Sequence, residues 1–215
     1  MRKHFEEELD NLSKDMIRLG ALCEEAILLI ITDLCEGNKD AYAHMSQYLD
    51  DIKQKERAIE GMCIRLLMQQ QPVAGDLRRI SAALKMVTDM ERIGVQCADI
   101  AEIITYLNGK ACGQCEIIRR EAEEAGKMVT GAVNAFVRHD SMLAEEIVKG
   151  DDVVDVLFSR VRDALLEMII SKDSDGSDIL DLLMISKYFE RIADHAVNIA
   201  EWVIFAETGV RKSDE

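Results

Sequence analysis

Two segments of the sequence carry pairs of acidic residues spaced four positions apart. One segment holds Asp151 and Asp155, and the other holds Glu190 and Asp194. Residues at this spacing lie on one face of an α-helix, about one turn apart. If the two helices pack side by side, four carboxylates converge, and an oxygen-only cluster suits magnesium or manganese, or several bridged iron ions. The pattern predicts a metal site with these four residues as ligands.

A second interpretation of these acids remains open, and a third is excluded. A carboxylate on a packed helix face is costly unless it is paired or binds a cation, but the neighbouring Arg191 offers an ordinary ion pair on a solvated face. A di-iron bundle would need Glu-x-x-His motifs, and none of the four histidines is preceded by glutamate at that spacing. His195, beside Asp194, is either a ligand or a hydrogen-bonded side chain.

The periodicity of apolar residues shows which elements position these acids. Spacings of three and four residues recur along the chain, and Gly37, Pro72 and Asn108-Gly109 interrupt them. Asn38 is a predicted helix cap, as is Asp140 or Ser141. Helices of about 30 residues span about 45 Å, which suits antiparallel packing in a bundle. We therefore predict an all-α protein with six long antiparallel helices, at about 3–36, 38–70, 76–107, 114–138, 141–171 and 178–207.

An internal repeat divides the chain into two parts. Glu91-Arg92-Ile93 recurs as Glu190-Arg191-Ile192, 99 residues later. With one residue gapped, Asp51 aligns with Asp151. The repeat predicts two tandem homologous three-helix bundles, residues 1–109 and 110–215, related by pseudo-twofold symmetry.

Composition narrows the functional classes. The net charge of −15 disfavours nucleic-acid binding, because the protein would repel phosphate backbones. The longest apolar run, 26–31, is far shorter than the roughly 20 residues that span a bilayer, and the N-terminal segment lacks the apolar core of a signal peptide. The six cysteines lie mostly in helical patterns, as free thiols in a reducing compartment do. We predict a cytoplasmic protein.

Few residues favour catalysis. Cys112 and Cys115 have the spacing of half a zinc site or of a redox pair, but no second close pair accompanies them, and we interpret them as incidental loop thiols. No Walker-type phosphate loop occurs. We predict that the protein is not an enzyme; the alternative is a metal-dependent phosphohydrolase on a helical scaffold, in which a bound metal activates water.

Two longer strings resemble the signatures of a known family. The first comprises residues 71–79 together with Asp89-Met90-Glu91-Arg92-Ile93-Gly94, and the second comprises residues 188–201. With the repeat, they cover nearly the whole chain and resemble the PhoU family. The resemblance implies paired three-helix bundles with Glu/Asp-x-x-x-Asp motifs that bind multinuclear metal clusters.

The two halves match these motifs unequally. The second half has all four acids. The first half pairs Asp51 with Lys55 and Glu91 with Val95, so two oxygen ligands are missing and a positive charge is added. We expect Asp51 and Glu91 to form at most a degenerate site, in which Lys55 could pair with Glu91. The sequence does not select among iron, zinc, manganese and magnesium for the complete site.

The resemblance also implies a function. Members of the family couple the phosphate-specific ABC transporter, through its ATPase subunit, to a membrane sensor histidine kinase. They keep the phosphate-starvation response off when phosphate is plentiful, and some members also limit phosphate uptake. For this chain we therefore expect a negative regulator that acts as an adaptor, forms a homodimer and reaches the membrane only through its partners.

Overall fold

The chain folds into six α-helices. A computed structural model describes residues 2–69, 72–107, 115–171 and 176–210. The all-α prediction is confirmed, since these ranges contain no strand. The helices are α1 (Arg2–Glu36), α2 (Ala41–Gln69), α3 (Ala74–Tyr106), α4 (Cys115–Arg138), α5 (Ser141–Ser171) and α6 (Gly176–Thr208).

The ends of α1 and α4 share one turn geometry. Gly37 has φ 66° and His139 has φ 57°, and both positions directly follow the last helical residue. This left-handed conformation ends a helix and is easiest for glycine. The next amide then bonds back into the helix, from Asn38 to Asp33 O at 2.9 Å and from Asp140 to Ala135 O at 2.9 Å. The same turn therefore ends equivalent helices of the two halves.

Of the two predicted caps, the one before α5 is present and the one before α2 is not. Asp140 Oδ1 accepts a hydrogen bond from the Leu143 amide at 3.0 Å and so caps α5. Asn38 Oδ1 accepts from the Asp40 amide at 3.0 Å, but regular helix begins only at Ala41. The residues between Asn38 and Ala41 form a turn, which moves the start of α2 three residues beyond the predicted one.

The contacts between helices repeat from one half to the other. In the first half α1, α2 and α3 contact one another, and in the second half α4, α5 and α6 do so. Between the halves, α3 packs extensively on α6 and α1 packs on α4, so the two most extensive inter-half contacts join equivalent helices. This is what a pseudo-twofold relation requires. The predicted boundary between residues 109 and 110 falls outside the described residues and stays a prediction.

One apolar core runs through both halves. It includes Leu19, Val87 and Ile192, all fully buried. Leu77 and Leu180, near the starts of α3 and α6, are exposed and lie outside this core. None of the described helices combines the length and the apolar character needed to cross a bilayer.

The cysteines of the first half are free. Cys23, Cys63 and Cys97 are buried and Cys35 is partly buried. Burial raises the pKa of the Cys23 and Cys63 thiols to about 12, so these thiols stay protonated and act as core residues. Cys112 and the side chain of Cys115 lie outside the described residues.

Candidate metal centre

The four predicted acids of the second half interact as one group. The pKa of Asp151 is raised to about 6, first by burial and then by the negative charges of Asp155, Asp194 and Glu190. Burial likewise raises the pKa of Asp194, with added contributions from Glu190 and Asp155. Two helices thus bring the four carboxylates within electrostatic reach. We call Asp151, Asp155, Glu190 and Asp194 the second-half carboxylate cluster.

This cluster has features that suit a cation. Asp151 Oδ1 is buried and lacks a hydrogen-bond partner, which leaves a strong acceptor unsatisfied. Lys187 forms an ion pair with Glu190, and its Nζ lies 5.5 Å from the centroid of the Phe158 ring. The lysine is the only positive charge paired with this cluster in the described part of the chain. A single lysine leaves most of the negative charge unbalanced.

The side chains are not arranged as a complete coordination sphere. Among the described residues, no three His, Cys, Asp or Glu side chains converge as metal ligands do. Carboxylates that share a site repel one another when no cation lies between them. The described residues therefore fit a cation in the chemistry of their donor atoms, while their oxygens are not gathered around one position in this structure.

A fifth acid, on α4, lies near one member of the cluster, Glu190. Glu121 is completely buried, and its Oε2 accepts a hydrogen bond from Ser186 Oγ at 2.6 Å. Its Oε1 has no partner. The pKa of Glu121 is raised to about 8, mainly because the side chain is buried. The hydrogen bond from Ser186 and the charge of Lys187 lower this pKa, and the charge of Glu190 raises it. The sequence prediction missed this residue, although Glu121 falls on the buried stripe of Ile118 and Ala125.

The first-half acids have different surroundings. Lys55 Nζ lies 3.4 Å from Asp15 Oδ1 on α1, and in the described part of the chain it makes no ion pair with Glu91. The suggested Lys55–Glu91 pair is therefore wrong, because α1 offers Lys55 a nearer carboxylate. Asp51 Oδ1 accepts a hydrogen bond from Gln47 Nε2 at 3.3 Å. Glu91 lies within electrostatic reach of Glu56, whose pKa is raised first by burial and then by the charges of Glu60 and Glu91.

His195 belongs to a hydrogen-bond group between the halves. Its Nδ1 lies 2.9 Å from Asp89 Oδ1 on α3, and Asn198 Nδ2 donates to the same oxygen at 3.5 Å. Both His195 and Asp89 are mostly buried. Of the two roles considered for His195, the structure shows the hydrogen-bonded one, in which the histidine joins α6 to α3.

Known proteins share both the sequence pattern and the fold. A family model described as the PhoU domain matches residues 16–104 and again 118–203. A "Phosphate-specific transport system accessory protein PhoU homolog" of Clostridium acetobutylicum is 33% identical over 210 residues, which are 97% of this chain and 96% of the relative. A relative of the same name from Synechocystis is 33% identical over 98% of this chain and 94% of its own length.

Solved structures match equally completely. The crystal structure of PhoU from Pseudomonas aeruginosa superposes with a TM-score of 0.88 at 30% identity, covering 96% of this chain and all of that one. The crystal structure of the phosphate transport system regulatory protein PhoU from Streptococcus pneumoniae superposes with a TM-score of 0.87 at 25% identity. The match covers 96% of this chain and 98% of that one. The sequence matches span both halves, and the structural matches span all six helices. The chain belongs to the PhoU family.

Proposed function

We propose that this protein is a cytoplasmic accessory regulator of phosphate-specific transport that acts by binding its partners. The observation that carries the proposal is the double PhoU-domain match, one in each three-helix half, in a chain whose full-length relatives are named accessory proteins of the phosphate-specific transport system. In this proposal the protein restrains phosphate uptake and the phosphate-starvation response.

The proposed partners are the ATPase subunit of the phosphate ABC transporter and a sensor histidine kinase, which the protein connects as an adaptor, itself a homodimer. The net charge of −15 supports partners that present basic surfaces, since complementary charge steers association. Nucleic acid is not among the proposed partners. Membrane association takes place only through the transporter and the kinase.

We further propose that the second-half carboxylate cluster binds iron, zinc, manganese or magnesium. Asp151 and Asp155 would supply oxygens from α5, and Glu190 and Asp194 would supply them from α6. The buried, unpartnered Asp151 Oδ1 supports this assignment. A bound cation supplies the positive charge that the four acids otherwise lack. The two halves of the protein would then differ, because the first half retains only two of the four acids, Asp51 and Glu91.

Metal analysis tests this part of the proposal. The protein is purified without a metal-binding tag, and bound iron, zinc, manganese and magnesium are measured before and after reconstitution. We expect wild type to hold metal and the double variant Glu190→Ala with Asp194→Ala to lose it. The matched first-half variant, Asp51→Ala with Glu91→Ala, should keep wild-type metal content. Wild type that stays free of metal after reconstitution would contradict the metal site.

The functional proposal is tested by co-purification from the protein's own host. We expect the ATPase subunit and the histidine kinase to be recovered with the full chain, and light scattering to show a dimer. The rival function, metal-dependent phosphate ester hydrolysis, is tested with the manganese- and iron-loaded protein. Turnover that disappears in the Glu190→Ala, Asp194→Ala variant, without recovery of either partner, would favour the hydrolase.

A further inference from the structure

The buried acid of α4 occupies a position that is apolar in the other half. α1 ends at Glu36 and α4 at Arg138, and the same left-handed turn follows each, so α4 is offset from α1 by 102 residues. Glu121 therefore corresponds to Leu19. Both side chains are fully buried, one charged and one apolar.

Ser186, the hydrogen-bond partner of Glu121, also corresponds to an apolar residue in the first half. The Glu-Arg-Ile repeat sets an offset of 99 residues between α3 and α6, so Ser186 corresponds to Val87, and both are fully buried. The first half thus has a leucine and a valine where the second half has a hydrogen-bonded glutamate and serine. A packed apolar pair satisfies this place in the fold, and packing alone gives no reason for a buried carboxyl group.

The position of the glutamate links it to the acids of α5 and α6. Ser186 lies four residues before Glu190, hence one turn away on the same face of α6. The charges that act on Glu121 are those of Glu190 and Lys187. Its Oε1 is buried and free of any hydrogen bond. Glu121 therefore lies within electrostatic reach of Glu190, the cluster acid that follows Ser186 by one turn on α6.

The two halves differ in both features together. The first half has lysine and valine at two of its four acid positions, and Leu19 and Val87 stand there where the second half has Glu121 and Ser186. The second half retains all four acids and adds Glu121. We propose that Glu121 is a fifth carboxylate of the second-half metal centre, so that α4, α5 and α6 all hold the bound cations. Ser186 is a positioning residue that orients Glu121. This inference rests on the metal site proposed above.

Manganese titration of the full-length protein tests the inference. The chain is stripped with a chelator, and free Mn²⁺ is followed by its electron paramagnetic resonance signal, which gives stoichiometry and Kd without reference to activity. The double variant Glu121→Leu, Ser186→Val recreates the Leu19–Val87 pair of the first half and should fold. Glu121→Gln keeps the shape and the Ser186 contact but removes the charge. Glu123→Gln, an exposed acid on the same helix, is the matched control.

We expect both Glu121 variants to bind fewer Mn²⁺ ions or to bind them about 10- to 100-fold more weakly, with Glu123→Gln unchanged. Wild-type stoichiometry and Kd in the Glu121 variants, combined with loss of binding in Glu190→Ala, Asp194→Ala, would overturn the inference and leave the four-residue site standing. If wild type itself takes up no Mn²⁺, the metal site is refuted and the inference with it. Should the double variant fail to fold, Glu121→Gln decides.

Discussion

Replacing the buried Glu121–Ser186 pair by leucine and valine is predicted to make the metal-free protein more stable, increasingly so as the pH rises. Folding takes the Glu121 carboxyl group out of water, and burial raises its pKa from an ordinary 4.5 to about 8. Between these two values the folded protein keeps a proton that the unfolded chain has lost. Folding stability therefore falls as the pH rises through this window.

The size of the effect follows from the two pKa values. For a group with pKa 4.5 in the unfolded chain and about 8 in the folded protein, linkage gives a loss of roughly 3 to 4 kcal/mol between pH 5 and pH 8. The variant Glu121→Leu, Ser186→Val lacks this group and escapes the loss. At pH 5 it should gain only about 1–3 kcal/mol, from removing an acceptor that lacks a partner.

Urea unfolding followed by circular dichroism, in chelator at pH 5 and pH 8, measures both differences. Other acids with raised pKa values, such as Asp151, are present in both proteins and largely cancel in the comparison. Glu121→Gln should also lose the pH dependence, while Glu123→Gln, exposed on the same helix, should follow wild type within about 0.5 kcal/mol. A stability difference between wild type and the double variant that is equal at the two pH values would refute the reasoning.

Three further perturbations are predicted from single contacts. In metal-free protein at pH 8, Asp151→Asn should stabilise the fold by about 1 kcal/mol after solvent screening, because burial and neighbouring acids disfavour its charge; a loss in urea unfolding would contradict this. Gly94→Ala should lower the free energy of unfolding by about 1–3 kcal/mol in a thermal melt, because an added Cβ would lie 2.9 Å from the Ile52 Cδ1 methyl of α2. Gly75→Ala is the control and should not destabilise, because no packing neighbour lies within 4 Å of an added Cβ there. Asp89→Ala should cost about 1–3 kcal/mol by leaving His195 without its partner across the two halves, and unchanged stability would count against that contact.

The helices and the repeat could be predicted because they depend on local patterns. Apolar spacing marks each helix, and residues such as Gly37 and Pro72 mark the breaks. The candidate site in the second half of the chain could also be predicted from local spacing. A spacing of four residues places Asp151 with Asp155 on one helix face, and Glu190 with Asp194 on another. Only the assumption that α5 and α6 pack together was needed, and that contact is present.

Residues whose role depends on contacts between helices were harder to find. Glu121 belongs to the run Glu121-Ala122-Glu123-Glu124, which resembles a solvated acidic stretch. Apolar spacing places Glu121 on the stripe of Ile118 and Ala125, but its partner Ser186 depends on how α4 packs against α6, which local spacing does not reveal. Lys55 was misassigned for a related reason, because its partner Asp15 lies on α1, 40 residues away.

Deleting the gene in its own host, with a phosphate-starvation reporter and a phosphate-uptake assay in phosphate-rich medium, tests the regulatory role most directly. The proposal predicts that the reporter turns on and uptake rises, and that the wild-type gene restores both to their original level. A reporter that stays off, together with unchanged uptake in the deletion strain, would contradict the proposed negative regulation of phosphate transport and signalling.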